Sequence, residues 1–361
     1  LEYSYPNNTP YTGTLHVFKN DGGVLRDSTS RVMSSTVIPD HPRDFEIRDF
    51  TGDGVLDLYV AQHGFDAPPF PGAPNLFFTK SGIQLAQVAA TRFANFSSAA
   101  FSHGSSSADV DCDGDIDLVE LNVTPTIPNI LWLNGGTGNF TAATSKAPAI
   151  AGTNTGQRWQ EPSFIDIDND GDPDMYLGAR SGTGWNEDVL LVNDGFGNFR
   201  ATTAIRLPAP KFPTAHGINN AKAADFNGDG RQDLVLFEIP QPFSTSSAIR
   251  LWINKGNGSF SDDAVAWGLP STCTGEIIEP LYVADFNSDG WPDVAIPGGC
   301  PNLGGPGLLI NKAGTFQYFA FKSLISFLEF DVVTPMDING DGKLDLFFGD
   351  RGGNPVIVKR P

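Results

Sequence analysis

One short acidic run recurs six times along the chain. In the run at 225–233, side-chain oxygens stand at positions 1, 3, 5 and 9, a glycine at position 6 permits a sharp turn, and an apolar segment follows. Hard cations take about six to eight oxygen ligands, and alternate residues of a tight loop point inward to supply them. The spacing therefore predicts calcium loops at 49–57, 109–117, 166–174, 225–233, 285–293 and 337–345.

The predicted ligands are the aspartates at positions 1, 5 and 9, the side chain at position 3 and the main-chain carbonyl at position 7. These residues are Asp49, Thr51, Asp53, Val55 and Asp57; Asp109, Asp111, Asp113, Asp115 and Asp117; Asp166, Asp168, Asp170, Asp172 and Asp174; Asp225, Asn227, Asp229, Arg231 and Asp233; Asp285, Asn287, Asp289, Trp291 and Asp293; and Asp337, Asn339, Asp341, Lys343 and Asp345. We expect up to six structural calcium ions, bound most tightly at 109–117 and 166–174 and most weakly at 49–57. The alternative for each loop is a metal-free turn closed by its own Asp or Asn side chain.

A second element alternates with the acidic loops. It consists of an apolar run, an Asn/Gly turn and a segment that opens on an aromatic residue, as at 130–140 and 189–199, and it predicts a β-hairpin. Each period of about 60 residues then holds four strands, which predicts an all-β propeller spanning residues 1–361 as one domain, with the acidic loop between strands 1 and 2 of each blade. Six blades are favoured and seven are the alternative. We expect the two termini to meet in one blade.

This pattern resembles the FG-GAP/VCBS-repeat β-propeller family, and it is similar to integrin α-subunit propellers and calcium-binding propeller lectins. The resemblance rests on the acidic core of each loop, as in 166–174, and covers almost the entire chain. It implies calcium-loop blades. It does not specify an activity, because propellers support many functions.

Composition narrows the partners and the compartment. The net charge of −19 argues against nucleic acid or an anionic membrane surface, and no apolar run is long enough for membrane insertion. We expect Cys273 and Cys300 to form a disulfide. A disulfide is typical of oxidising compartments, and the calcium concentration outside the cell suits such loops better than that of the cytosol. Both points favour a secreted or cell-surface glycoprotein. Glycosylation sequons stand at Asn7, Asn95, Asn122, Asn139 and Asn257.

Topology sorts the remaining connections. In an up-and-down blade, the acidic loops share one face with the turns between strands 3 and 4, so the 2–3 and 4–1 connections share the opposite face. We call this opposite face the ligand face. The candidate residues on it are His63, His103, His216, Trp159, Trp185, Arg158 and Arg180.

Each candidate on the ligand face has a functional and a structural interpretation. The histidines either converge near the channel to bind or protonate a ligand, or hydrogen-bond neighbouring loops. The tryptophans either stack on sugar rings or pack between blades. The arginines either bind a carboxylate or sulfate, or pair with nearby acids.

The favoured function is lectin-like or adhesion-like binding of a glycan or an extracellular protein. One alternative is a polysaccharide lyase or hydrolase that uses His, Arg and Tyr on the ligand face. The other alternative is a scaffold module of a longer adhesin.

Overall fold

The computed structural model describes residues 17–20, 25–35, 37, 39–65, 71–82, 84–96, 99–123, 127–143, 145–148, 150, 158–180, 188–202, 207–213, 216–240, 246–274, 281–320, 330–336, 345–350 and 356–358. Within these residues the regular secondary structure is almost entirely antiparallel sheet, and two single-turn helices, α1 (Thr29–Val32) and α2 (Ala89–Arg92), follow outer strands.

The strands follow one another in chain order. They are β1 (Phe18–Asn20), β2 (Leu25–Asp27), β3 (Pro42–Arg48), β4 (Asp57–Gln62), β5 (Leu76–Ser81), β6 (Gln84–Gln87), β7 (Ser102–Ala108), β8 (Asp117–Asn122), β9 (Ile130–Asn134), β10 (Phe140–Ala142), β11 (Arg158–Ile165), β12 (Asp174–Arg180), β13 (Val189–Val192), β14 (Arg200–Ala201), β15 (His216–Ala224), β16 (Asp233–Pro240), β17 (Ser246–Asn254), β18 (Phe260–Asp262), β19 (Cys273–Thr274), β20 (Tyr282–Ala284), β21 (Asp293–Cys300), β22 (Gly305–Asn311), β23 (Phe316–Ala320), β24 (Phe330–Met336), β25 (Asp345–Asp350) and β26 (Val356–Val358).

These strands form five four-stranded blades in a β-propeller arrangement, which confirms the predicted fold class. Blade 1 is β3–β6, blade 2 is β7–β10, blade 3 is β11–β14, blade 4 is β15–β18 and blade 5 is β20–β23. Neighbouring strands within each blade are antiparallel and consecutive in sequence, as expected for a meander.

The preference for six complete blades needs correction. The last described sheet has three strands in the order β24–β25–β26, and β26 is paired with β25 at its edge. Among the described residues the first hairpin, β1–β2, forms a two-stranded sheet. The meeting of the two termini in one blade stays a prediction, because residues 1–16 and 359–361 lie outside the described part of the chain. Met33 follows this hairpin and forms a parallel β-bridge to Leu85 on the fourth strand of blade 1. Phe93 follows blade 1 and forms the same kind of bridge to Phe140 on the fourth strand of blade 2. The hairpin therefore occupies the strand 3–4 position of a blade preceding blade 1.

The core lies between blades. Phe50 and Tyr59 of blade 1 pack with Leu118 and Trp132 of blade 2, and equivalent clusters join blades 2 and 3, 3 and 4, and 4 and 5. Central strands are buried on both faces, and β16 is buried at every residue from Asp233 to Ile239. This explains why these strands read as continuous apolar runs instead of alternating patterns.

The first strands of successive blades lie side by side and carry polar groups. Asp44 and Glu46 on β3, Glu161 on β11 and Lys222 on β15 form a charged cluster that links blades 1, 3 and 4. The Lys222 ammonium lies 3.9 Å from Glu161. Burial, reinforced by the charge of Asp44, raises the pKa of Glu46 to about 7.

Candidate functional site

The acidic loops share one hydrogen-bond pattern. In the loop at 109–117, the Asp109 carboxylate accepts bonds from the main-chain N–H groups of Asp113 and Gly114 at 3.1 and 3.0 Å. The same two bonds form at Asp49, Asp166, Asp225 and Asp285. These bonds close the loop around its carboxylates, so the arrangement is preformed. In the loop at 337–345, only Asp345 is among the described residues.

Two positions in each of the five described loops adopt left-handed backbone. The expected glycine at position 6 does so, with φ 94° at Gly114. The residue at position 4 also has a positive φ. It is glycine in two loops, and Cys112, Asn169 or Ser288 in the other three, with φ 57° at Cys112. A left-handed non-glycine residue costs conformational energy. The glycines at positions 52 and 228 were the sequence signal for this second requirement.

Two loops gather three carboxylates each. One carboxylate oxygen from each of Asp109, Asp111 and Asp113 lies within 4.8 Å of the other two. Asp166, Asp168 and Asp174 meet in the same way. Burial raises the pKa of Asp111 and the neighbouring negative charges add to this effect. A set of hard oxygen donors with mutual repulsion can hold a metal ion.

The aspartate at position 9 also has a structural task that the sequence pattern did not indicate. Asp117 is fully buried, and its two oxygens accept bonds from Val110 N at 2.9 Å and Asn134 N at 2.8 Å. Equivalent pairs of bonds reach Asp174, Asp233 and Asp293. Each carboxylate oxygen has a further lone pair, so this task is compatible with binding a cation.

An asparagine at the end of strand 3 joins each blade to the preceding one. Asn134 Nδ2 of blade 2 donates to the carbonyl of Phe50 in the blade 1 loop at 2.8 Å. Asn193, Asn254 and Asn311 make the same bond to Val110, Ile167 and Phe226 at 2.7–2.8 Å. We call these four residues the latch asparagines. The hairpin motif contained them, but it predicted only turn residues at these places. At this position blade 1 carries the exposed residue Lys80.

The acidic loops and the 3–4 turns lie on one face, as predicted. A Cβ added at Gly136, in the turn of blade 2, would fall 2.6 Å from the Asp115 carboxylate. Two loops contain an ion pair in this region: Arg231 pairs with Asp229, and Lys312 Nζ lies 3.6 Å from Asp289 Oδ2.

Three histidines meet at the ends of blades 1 and 2 that lie opposite the acidic loops: two from connections and one from the start of β7. The rings of His63 and His103 are 5.4 Å apart, and His41 lies 4.9 Å from His63. His63 is 2% exposed. Burial, with the charge of Arg43, lowers the pKa of His41 to about 4. Thus His63 and His103 do come together, and His41, which was not selected as a site residue, joins them.

His216 has a different environment. It begins β15 and is buried, and its Nε2 lies 3.8 Å from Asp188 Oδ2. Burial lowers the pKa of His216, but the carboxylates of Asp188 and Glu238 more than offset this, so the pKa is raised overall.

The other ligand-face candidates are placed as follows. Trp159 is 5% exposed and packs with Leu177 and Leu191 in the core between blades 2 and 3, which is the structural alternative considered for it. Its ring therefore presents no open surface to a sugar. The backbones of Arg158 and Arg180 are direct cross-strand partners at the end of blade 3. Trp185 lies outside the described residues.

Cys273 and Cys300 form the expected disulfide, with Cα atoms 5.2 Å apart. Cys273 lies on β19, which pairs with β17 of blade 4, and Cys300 ends β21 of blade 5, so the bond ties two blades together. The sequon at Asn122 needs correction. This side chain is fully buried and donates to Glu120 and to the carbonyl of Pro128, so it cannot carry a glycan in the folded chain. Asn139 and Asn257 are exposed in 3–4 turns.

Successive blades packed side by side, each with an acidic loop, define a repeat-built β-propeller. The family profile of the FG-GAP-like repeat matches residues 109–177 and 240–296, so the chain contains FG-GAP-like repeats within its β-propeller. The family resemblance identified from the sequence is confirmed.

The chain is similar to a T-cell immunomodulatory protein homolog of Plasmodium yoelii yoelii, with 28% identity over 142 residues that cover 38% of this chain and 20% of that protein. The match thus spans about a fifth of the curated relative. Among solved structures, the C-terminal domain of Pseudomonas aeruginosa PilY1 covers 96% of this chain and 93% of its own, with 12% identity and a TM-score of 0.50.

A rhamnogalacturonan lyase of Bacillus licheniformis superposes more loosely, with 11% identity and a TM-score of 0.41. The match covers 89% of this chain and 58% of the lyase chain. Such distant likenesses concern the fold and not the chemistry. In the described part of the chain, helices of the length and apolarity needed to cross a membrane are absent.

Proposed function

We propose that the chain is a secreted, calcium-stabilised β-propeller that binds a glycan or an extracellular protein through its ligand face. The observation that carries this proposal is the asymmetry of the disc. Acidic loops and 3–4 turns contact one another on one face, whereas His41 and His63 of two connections meet His103, near the start of β7, on the other. Binding residues commonly lie on connections that a rigid scaffold holds in place.

Calcium fits the acidic face because the loops supply hard oxygen donors whose charges repel one another without a cation. A ligand that binds only the folded chain stabilises it by mass action. The loops at 109–117 and 166–174 are the strongest sites on this proposal because three carboxylates already converge in each. The loops at 225–233 and 285–293 are weaker, since Arg231 and Lys312 already neutralise one carboxylate each.

The ligand face offers groups suited to a polar partner. His103 is half-buried at the rim of the histidine group. The connection that follows Arg180 contains Trp185, whose ring would stack on a sugar. Secretion is supported by the disulfide between blades 4 and 5, because such bonds persist in oxidising compartments.

The proposal is tested by probing glycan and extracellular-protein arrays with the chain, with and without a calcium chelator. The variant Trp185→Ala should abolish binding and leave the thermal midpoint unchanged. The matched control is Phe196→Ala, because Phe196 is an aromatic residue in the same blade, 69% exposed on the opposite face. Equal binding by the wild type and Trp185→Ala would refute this site. Binding to no array member would refute the function.

A second candidate, polysaccharide cleavage, is favoured by the convergence of His41, His63 and His103. A neutral imidazole can abstract a proton from a uronate, and a pKa of about 4 keeps His41 neutral at pH 7. A screen of anionic polysaccharides for unsaturated products separates cleavage from binding, since a binding protein releases none.

A further inference from the structure

Two interblade junctions contain the same buried tyrosine–tryptophan pair. At the junction of blades 1 and 2, Tyr59 Oη and Trp132 Nε1 both donate to Glu120 Oε2, at 3.0 and 3.2 Å. Asn75 Nδ2 donates to the same tyrosine oxygen at 2.8 Å. Each of these four side chains thus has a partner, as is usual for buried polar atoms.

The junction of blades 3 and 4 repeats this pair without the acceptor. Tyr176 stands two residues after its position-9 aspartate, like Tyr59, and Trp252 stands two residues before its latch asparagine, like Trp132. The residue equivalent to Glu120 is Leu236. Tyr176 and Trp252 are at most 1% exposed, and neither Tyr176 Oη nor Trp252 Nε1 has a hydrogen-bond partner in the described residues.

His216 brings a third set of unsatisfied atoms to this junction. Both of its ring nitrogens are buried without a hydrogen bond in the described residues. Its Nε2 is 3.8 Å from Asp188 Oδ2, too far for a hydrogen bond. The rings of Tyr176 and Trp252 are 5.8 Å apart and nearly perpendicular. Asp188 lies near both Tyr176 and His216: burial and this carboxylate raise the pKa of Tyr176, and the same carboxylate raises the pKa of His216 against the effect of burial.

We propose that Tyr176, Trp252, His216 and Asp188 form a subsite that receives a hydroxyl group of a sugar bound on the ligand face. A hydroxyl both donates and accepts, so it can accept from Trp252 Nε1–H or Tyr176 Oη–H and donate to His216 or to Asp188 Oδ2. An anion would meet the carboxylates of Asp188 and Glu238, and a cation would meet Arg250.

The position of this subsite connects it to the ligand face. Asp188 directly precedes β13 and ends the connection that leaves β12 at Arg180, and His216 begins β15 at the same end of the neighbouring blade. Both residues therefore lie where 2–3 and 4–1 connections converge. This inference rests on the proposed glycan-binding function and specifies one place that a glycan would touch.

The test uses the full chain labelled with 15N-indole tryptophan. The Nε1–H signal of Trp252 is assigned by its loss in Trp252→Phe and followed during titration with methyl glycosides of glucose, galactose, mannose and rhamnose. We expect one glycoside to shift this signal saturably. Tyr176→Phe should weaken that binding about tenfold or more, a factor that corresponds to about 1.4 kcal/mol. The matched control Tyr59→Phe alters the equivalent tyrosine of blade 1 and should leave the affinity unchanged.

Thermal midpoints without sugar provide the second measurement. Tyr176→Phe removes a hydroxyl that lacks a partner and should keep or raise the midpoint, whereas Tyr59→Phe removes a bonded hydroxyl and should lower it. An equal loss in both variants would mean that an internal water already serves Tyr176, and the subsite would be refuted. If Tyr176→Phe and the wild type bind a glycan array equally well, the subsite is refuted but the proposed function stands. If neither protein binds any glycan on the array, both the subsite and the proposed function are refuted.

Discussion

The latch asparagines make the contribution of one interblade bond measurable. Asn254 is 1% exposed, and its Nδ2 donates to Ile167 O of blade 3 at 2.8 Å while its Oδ1 accepts from Gly256 N at 2.9 Å. In Asn254→Ala, the buried carbonyl of Ile167 loses its donor from blade 4. Leaving one buried acceptor unsatisfied costs about 1–3 kcal/mol, so we expect the free energy of unfolding to fall by about 2 kcal/mol.

Urea unfolding at fixed calcium measures this change, and two further variants interpret it. Asn254→Asp keeps the Oδ1 acceptor for the turn but loses the Nδ2 donor, so it should be destabilised at least as much as Asn254→Ala. Lys80→Ala alters the exposed residue that blade 1 carries at this position and should stay within about 0.5 kcal/mol of the wild type. Recovery of wild-type stability in Asn254→Asp would show that the turn, and not the bond between blades, was responsible.

Three further predictions concern calcium, backbone strain and pH. Removing calcium with a chelator should lower the thermal midpoint, since a site filled at about 100 times its Kd contributes about 2.7 kcal/mol, and Asp113→Asn should reduce the dependence on calcium; an identical midpoint with and without chelator would contradict this. Cys112→Gly should stabilise the chain by about 0.5–1 kcal/mol in urea, because glycine accepts the positive φ at this position, and a loss of stability would contradict it. Because the folded-state pKa of Glu46 is raised from 4.5 to about 7, stability should fall as pH rises between these values. Glu46→Gln should remove that fall and match the wild type below pH 4.5, and parallel pH profiles would contradict this reasoning.

The repeat made the fold class accessible from the sequence. The acidic loops and hairpins mark strands 1 to 4 of each blade, and antiparallel meanders place consecutive strands side by side. The same spacing located the carboxylate cluster of Asp109, Asp111 and Asp113, since the residues of one loop are close in sequence. The pairing of Cys273 with Cys300 was also within reach because the chain offers few cysteines.

Features that depend on neighbouring blades were not accessible. The latch bond of Asn134 reaches a carbonyl 84 residues away, and nothing in the local motif distinguishes that task from a turn. The sequence predicts that Trp159 lies in an exposed loop. In the structure Trp159 belongs to β11, next to a bulge between Trp159 and Glu161, and its ring packs in the core. The unsatisfied pair at Tyr176 becomes visible only when its junction is compared with that of Tyr59.

All four latch bonds run in the same direction along the chain, from a later blade to an earlier one. The carbonyl of Val110 is covered by Asn193, which a ribosome adds 83 residues afterwards. Each newly made blade therefore emerges with one main-chain oxygen still hydrated and is completed by its successor. We expect nascent chains halted after blade 2 to be cut by protease in the loop at 109–117, and chains halted after blade 3 to be protected there.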